Sequence, residues 1–512
     1  MALKEPSPKM RKYLPQLDAL ELIPEAMARK YRVIPLEVNG NVLRVAMADA
    51  SDIFALEAIE SKTQKHIEPE LASVEEIQEA IDFNYQSYDE IEKQLSSISF
   101  SDVTTDAEQQ LELDTVARAP VARVISLIID EAVKARASDI HLQPEEDKLR
   151  VRYRVDGILH DTINIPLRTA ATVLSRIKIL ANMNIADHHR PQDGQFSVKP
   201  HGDRRLDIRV GIIPTVHGEM ATLRLLDKSR AVMTLPKLGF TAESQDIYEK
   251  MLKVPYGMIL ISGPTGAGKS TTLYASVNSL DLKERNVITV EDPVEYRFER
   301  INQVQVNPRA GLTFASGLRS ILRLDPDVIL VGEIRDAETA KIAIQAALTG
   351  HLVLSSIHAN DAVSVAFRLL DLGIEPFLVS TALIGVVAQR MVRRICPDCA
   401  QPTDVPLMEE MIYNMETNGT SFPVVEERQQ LMRGSGCKLC ANTGYQGRVG
   451  TFEIMQMNDE IRAMLLTGTT PAGLRAQAIK DGMVPLIKDG MLKVQAGLTT
   501  PEEVLRNTYS VD

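Results

Sequence analysis

Residues 263–270 read GPTGAGKS. Gly263, Gly268, Lys269 and Ser270 complete the pattern G-x-x-x-x-G-K-[ST]; Pro264, Thr265, Gly266 and Ala267 fill the loop, and Thr271 follows it. Glycines let a backbone turn tightly, so that its N–H groups point inward at phosphate oxygens, and a following helix N-terminus adds partial positive charge. Lys269 is expected to reach the β- and γ-phosphates of ATP, and the Ser270 hydroxyl to hold Mg²⁺. The plain alternative is a Gly-rich turn. An apolar strand-like run before the loop, Met258–Ile261, and a helical pattern after it argue against that.

Hydrolysis of a bound nucleotide needs a metal holder, a carboxylate for the attacking water, and positive charge for the transition state. Three apolar runs end at such groups: Val287–Val290 at Glu291 and Asp292, Val328–Val331 at Gly332-Glu333, and Leu352–Ile357 at His358. Glu333 can polarise water or hold Mg²⁺ through water. Glu291, Asp292 and Glu295 stand together in ITVEDPVEY, where two carboxylates could divide the work of base and metal ligand; an acidic turn at Pro293 is the simpler reading. His358 can sense a γ-phosphate, or merely make a local hydrogen bond. The runs alternate with helical patterns, the rhythm of a parallel sheet covered by helices. In open α/β sheets ligands bind at the carboxyl ends of the strands, so one crevice would collect all these groups. This third domain spans 235–395.

All four cysteines occur in two Cys-x-x-Cys pairs, Cys396/Cys399 and Cys437/Cys440. Each pair can give two thiolates to one tetrahedral Zn²⁺. The gap between the pairs is longer than in the usual zinc ribbon, so an insertion must loop out. Disulfides are not expected in a reducing cytoplasm. The segment is assigned to 396–450, and a C-terminal helical region to 451–512.

Upstream, residues 1–85 read as a small α/β domain, with strands Val33–Val38 and Val42–Met47 joined at Asn39-Gly40-Asn41, a hairpin signal. Residues 86–114 are Ser-rich and acidic and read as a flexible linker, with an exposed helix as the alternative for the middle. A second domain covers 115–234. Pro120 suits a first helical position, and Val121, Val124, Ile125, Ile128, Ile129 and Ala132 follow at helical spacing. DIHLQP, LRVRYRVDGIL, QFSVKP, LDIRVGIIPT and ATLRLLD read as strands of a mixed sheet, with a helix at Thr169–Asn182 between them. Arg150, Arg152, Arg154, Arg204, Arg205, Arg209 and Arg224 cluster here, either as a solvated sheet face or facing an anion.

The 512 residues allow about three domains. A formal net charge of −12 argues against a protein that mainly grips nucleic-acid backbone. MALKEPSPKMRK has no apolar core and is not a signal peptide. The apolar stretch Phe377–Ala388 is too short to span a bilayer. A cytoplasmic protein is expected, with membrane association only through partners or a surface contact.

Four blocks, GPTGAGKSTTLY, VITVEDPVEY, LRSILRLDPDVILVGEIRD and TGHLVLSSIHANDA, resemble the Walker A, Asp box, Walker B and His box of the type II secretion and type IV pilus-assembly ATPases. The resemblance covers most of the chain. SDIHLQPEEDKLRVRYRVDGIL, RPQDGQF and HGEMATLRLLD are similar to that family's second N-terminal domain, VAQRMVRRICPDC and CKLC to its tetracysteine zinc segment, and residues 13–85 to its first N-terminal domain. It implies a homo-hexamer of RecA-like subunits at the cytoplasmic face of the inner membrane. Its implied partners are a platform membrane protein and the cytoplasmic domain of a membrane-anchored assembly protein. ATP hydrolysis would drive assembly of a pilus or pseudopilus. The resemblance assigns catalysis to Glu291, Glu333 and His358, and supporting roles to Arg209, Arg224, Arg319 and Arg335. SSIHAND stands where the family commonly has STLHTND. Some relatives bind cyclic di-GMP through an Arg-Leu-Gly-containing motif, which is missing before Leu22-Ile23-Pro24, so that activity is not expected. ERNVITVEDPVEY and PFLVSTALIGVVAQR look slightly more like the secretion branch.

Three other readings compete. A pilus-retraction motor is disfavoured by the long N-terminal region and the cysteine segment. A nucleic-acid translocase is disfavoured by acidic charge and the lack of an aromatic-basic stripe. A scaffold with little turnover would not need paired carboxylates.

Overall fold

The computed structural model describes residues 17–74, 76–78, 80–81, 110–199, 206–227, 234–404, 430–437, 440 and 443–508. Residues 86–109 of the expected linker, Arg204 and Arg205, and residues 228–233 near the end of the second expected domain lie outside them. The chain divides into two compact units, one of residues 1–228 with 435–444 and the other of residues 229–434 with 445–512.

The first unit holds two sheets. Strands β1 (Val33–Asn39), β2 (Val42–Met47) and β3 (His66–Leu71) form the smaller one, β1 antiparallel and β2–β3 parallel. Gly40, at φ 61°, makes the hairpin turn that its Asn-Gly-Asn sequence predicts. Helices Glu25–Tyr31 and Ile53–Thr63 pack with it around Ile34, Leu43, Val45 and Ile59. The larger sheet is antiparallel, in the order β6-β5-β4-β9-β8-β7. Its strands are β4 (Asp139–Pro144), β5 (Lys148–Val155), β6 (Ile158–Pro166), β7 (Gln192–Val198), β8 (Leu206–Thr215) and β9 (Gly218–Asp227). LRVRYRVDGIL is therefore a hairpin rather than one strand. It turns at Asp156 and Gly157, whose φ of 47° and 90° are those the Asp-Gly pair favours. One sheet face buries Ile140, Leu142, Val151, Ile208 and Leu223 against helices Gln110–Lys134 and Leu167–Leu180. The first of these helices begins ten residues before Pro120. Pro120 is thus internal rather than at a first turn, and the helix takes in residues 110–114 of the expected linker.

The second unit is built on a seven-stranded sheet in the order β12-β11-β13-β14-β10-β15-β18. These are β10 (Gly257–Ser262), β11 (Val287–Glu291), β12 (Asn302–Gln305), β13 (Val328–Val331), β14 (Leu352–Ile357), β15 (Leu383–Ile395) and, after the short pair β16 (Ala400–Asp404) and β17 (Gln430–Gly434), β18 (Tyr445–Gln456). All neighbours run parallel except β18 on β15. Alternate residues feed two cores. Met258, Leu260, Ile329, Val331 and Val353 enter one, while Ile259, Ile261, Val328, Leu330 and Leu354 enter the other. Burial on both faces explains why these strands read as continuous apolar runs. Among the described residues, no helix is long and apolar enough to cross a membrane.

Candidate nucleotide site

β10 is paired on one side with β14 and on the other with β15, with Ser262 opposite Ile357 and Ala388. The loop after β10 therefore emerges beside His358 and above Gln389. Gly263, Gly266 and Gly268 have φ of 149°, 81° and 87°, and the helix Lys269–Asn278 begins directly after. A Cβ on Gly263 would lie 2.5 Å from the Gln389 carbonyl oxygen, and one on Gly268 2.8 Å from Gln389 Nε2. Both glycines are required by their backbone angle and by the strand beneath them. Ala267 is buried, whereas Pro264, Thr265, Gly266 and Ser270 are exposed and Thr271 is half-buried at the open side of the loop. Lys269 Nζ donates to the carbonyls of Gly263 (2.7 Å) and Pro264 (3.0 Å), folded back over the loop where an anion would draw it.

Lys269 shares its surroundings with two charges. Burial lowers its pKa, the Glu333 carboxylate opposes that shift, and the Arg390 guanidinium adds to it. Glu333 Oε1 accepts from Arg335 Nη2, and Glu333 Oε2 lies 3.6 Å from His358 Nε2. Glu333 is held from below: Gly332 N–H donates to the Val290 carbonyl (2.8 Å), and Ser356 Oγ to the Gly332 carbonyl (2.8 Å). Lys269, Glu333, Arg335 and His358 thus converge at the ends of three neighbouring strands, as ligand-binding groups of such sheets do.

Glu291 is placed differently. It is 4% exposed. Tyr274 Oη donates to its Oε2, and Thr289 Oγ1 and Gln303 Nε2 donate to its Oε1. Burial, then the Glu291 charge, push the Tyr274 phenol far up, so it remains a donor. Arg319 pairs with Glu338 on the neighbouring helix, both side chains being exposed. Arg209 and Arg224 belong to the first unit, where they are direct partners across β8 and β9. Arg224 Nε also donates to Asp139 Oδ1 at 3.0 Å.

Sequence reasoning missed Gln389 and Arg390. Gln389, 1% exposed, accepts from Thr272 Oγ1 at 2.7 Å and so braces the helix after the loop. Arg390 Nη2 donates to the Asn360 carbonyl at 2.6 Å, tying the loop after His358 to the strand under the phosphate loop. Their only signal was position, three and four residues after Val386 in an apolar run.

The four cysteine sulfurs lie within 4.8 Å of one another and form no disulfide. Sulfurs 2.3 Å from one Zn²⁺ stand about 3.8 Å apart; Cys437 Sγ and Cys440 Sγ are 3.7 Å apart. The backbone N–H groups of Cys437 and Gly444 point at Cys440 Sγ, at 3.1 and 3.3 Å, as suits a thiolate. Cys396, Cys399, Cys437 and Cys440 therefore fit a zinc site.

A phosphate loop between a buried parallel strand and a helix, with carboxylate and histidine at adjoining strand ends, defines a RecA-like P-loop ATPase. The chain belongs to the type II/IV secretion system protein family, whose profile matches residues 114–506; that of the MshEN domain matches residues 7–90. It is 40% identical to the type IV pilus assembly ATPase PilB of Myxococcus xanthus, over 96% of this chain and 87% of that protein. It is also 40% identical to the type II secretion system protein E of Pectobacterium carotovorum, over 96% of this chain and 98% of that protein. Among solved structures, the pilus retraction motor PilT with bound ADP matches at a TM-score of 0.50 and 25% identity, covering 75% of this chain and 96% of that one. The DotB ATPase of Legionella pneumophila shares the fold, at a TM-score of 0.55 and 20% identity over 74% of this chain and 94% of its own.

Proposed function

We propose that this chain is a motor ATPase that powers assembly of a type IV pilus or of the related pseudopilus of type II secretion, working as a homo-hexamer at the cytoplasmic face of the inner membrane. The observation that carries the chemistry is the convergence of Lys269, Glu333, Arg335 and His358 at one end of a parallel sheet. Backbone N–H groups of Thr265–Thr271 bind the phosphates, and Lys269 moves from the loop carbonyls onto the β- and γ-oxygens. Ser270 and Glu333 are the groups to hold Mg²⁺, which with ATP supplies charge neutralisation at those oxygens. Glu333 orients water, and His358, in contact with Glu333, reports the γ-phosphate to the 358–361 loop. The full-length relatives named for assembly and secretion favour this direction of work over retraction. Partners at the membrane are a platform protein and a membrane-anchored assembly protein, and nucleic acid is not a substrate.

The test has two arms. Phosphate release by the purified protein should be insensitive to DNA and abolished by Lys269→Ala. Deletion of the gene should remove surface pili, secreted enzymes or both. A null strain that retains both refutes the assembly role.

A further inference from the structure

β11 and β13 run parallel with Val290 opposite Val331. Extending that register sets Glu291 beside Gly332 and Asp292 beside Glu333. The close approach is real at the first step: a Cβ on Gly332 would lie 3.4 Å from Glu291 Cα. The two acidic residues then diverge. Glu291 is enclosed by Tyr274, Thr289 and Gln303, and its two oxygens accept three hydrogen bonds. Those donors fix the turn that follows: Tyr274 Oη also accepts from the Glu295 N–H (3.3 Å), and Gln303 Nε2 also donates to the Tyr296 carbonyl (2.9 Å). Asp292 is exposed at the carboxyl end of the strand. Arg335, bound to Glu333, also lies within electrostatic reach of Asp292. A carboxylate buried and occupied by three donors is shielded from an attacking water, whereas one open at the strand end can meet it.

We propose that Asp292, not Glu291, is the second working carboxylate of this ATPase, and that Glu291 is a positioning residue that fixes the turn carrying Asp292. The inference rests on the ATPase reading of the site. Water oxygen attacks the γ-phosphorus, the bond from that phosphorus to the β–γ bridging oxygen breaks, and ADP leaves with that electron pair. Asp292 accepts the proton that the water sheds, while Glu333, neutralised by Arg335, aligns the attacking oxygen.

The test compares Asp292→Asn, Asp292→Glu, Glu291→Gln and Tyr274→Phe in the full chain, with Lys269→Ala as control. Asp292→Asn should lower kcat by about 100-fold or more, with melting temperature and affinity for a fluorescent ATP analogue unchanged. Asp292→Glu, which keeps the carboxylate, should regain part of that loss. Glu291→Gln and Tyr274→Phe should resemble each other, with a lower melting temperature and a smaller fall in kcat. The proposal is overturned if Asp292→Asn turns over like wild type, or if Glu291→Gln removes turnover at unchanged melting temperature and ATP affinity. Unimpaired hydrolysis by Lys269→Ala would instead overturn the ATPase assignment of the loop itself.

Discussion

Lys269 contributes binding and charge rather than packing, because its ammonium rests on two carbonyls of its own loop. Lys269→Ala should therefore abolish hydrolysis while leaving the melting curve in place; a large drop in melting temperature would mean that the lysine is structural. Glu333→Gln should bind ATP and fail to cleave it, which trapping of radiolabelled ATP against ADP will show. Gly268→Ala is expected to be worse than an ordinary glycine substitution. The new methyl group would meet Gln389 Nε2 at 2.8 Å, and Thr272 anchors that amide. The φ of 87° adds strain, of about 1–3 kcal/mol. ATP affinity should fall at least about tenfold, since each 1.4 kcal/mol is a factor of ten. Unaltered affinity would show that the loop can shift away from β15.

At the scale of elements, β15 carries the most consequence. It passes under the phosphate loop at Gln389, pairs with β18, and ends at Ile395, next to Cys396. The helix Pro501–Thr508 is fixed to it by Arg393 and Glu503. The guanidinium, stacked 4.0 Å over the Tyr445 ring, binds a carboxylate that is 2% exposed. Burial would raise the Glu503 pKa, but hydrogen bonds and charge from Arg393 outweigh it and the pKa is lowered. A depressed carboxylate pKa contributes stability that is present above the unfolded value and is lost as pH falls through the folded one. As a charged partner Glu503 would keep only Arg506, whose Nη1 lies 3.6 Å from its Oε1, so Arg393→Ala should cost about 1–3 kcal/mol at neutral pH. The gap in melting temperature from wild type should narrow in acid. A gap independent of pH would show that packing on Tyr445, not the ion pair, holds the helix. The cysteine segment makes its own prediction: protein purified without chelator should contain about one zinc per chain. Cys396→Ser or Cys440→Ser should lose it and lower thermal stability while ATP binding remains. Metal analysis without zinc removes the assignment.

For the molecule as a whole, hydrolysis needs positive charge at the γ-phosphate beyond that of Lys269. Arg209 and Arg224 are direct partners across β8 and β9, and Arg224 also binds Asp139. The family resemblance assigns both to nucleotide hydrolysis, and a residue of that kind is worth about 10³–10⁵ in rate. Arg209→Ala and Arg224→Ala should thus cut turnover of the assembled hexamer heavily, with ATP affinity changed much less. Wild-type turnover in both would reduce them to surface charge.

What the sequence determined by itself was local. The phosphate loop, the hairpin at Asn39-Gly40-Asn41 and the paired cysteines are signalled within a few residues, because backbone angle and ligand spacing are set over that range. The parallel sheet was legible for a related reason: strands buried on both faces must be apolar throughout. Only the tertiary structure decided which side each acidic group takes at the strand ends. Glu291 and Asp292 are adjacent and look equivalent in ITVEDPVEY, yet one is enclosed by Tyr274 and Gln303 and the other is open. β15 was hidden for the same kind of reason. Its sequence reads as one more apolar stretch, and the contact that gives Gln389 its place, with Thr272, spans 117 residues. Long-range pairing of this kind is chosen by the packing of the whole sheet, and no local pattern encodes it.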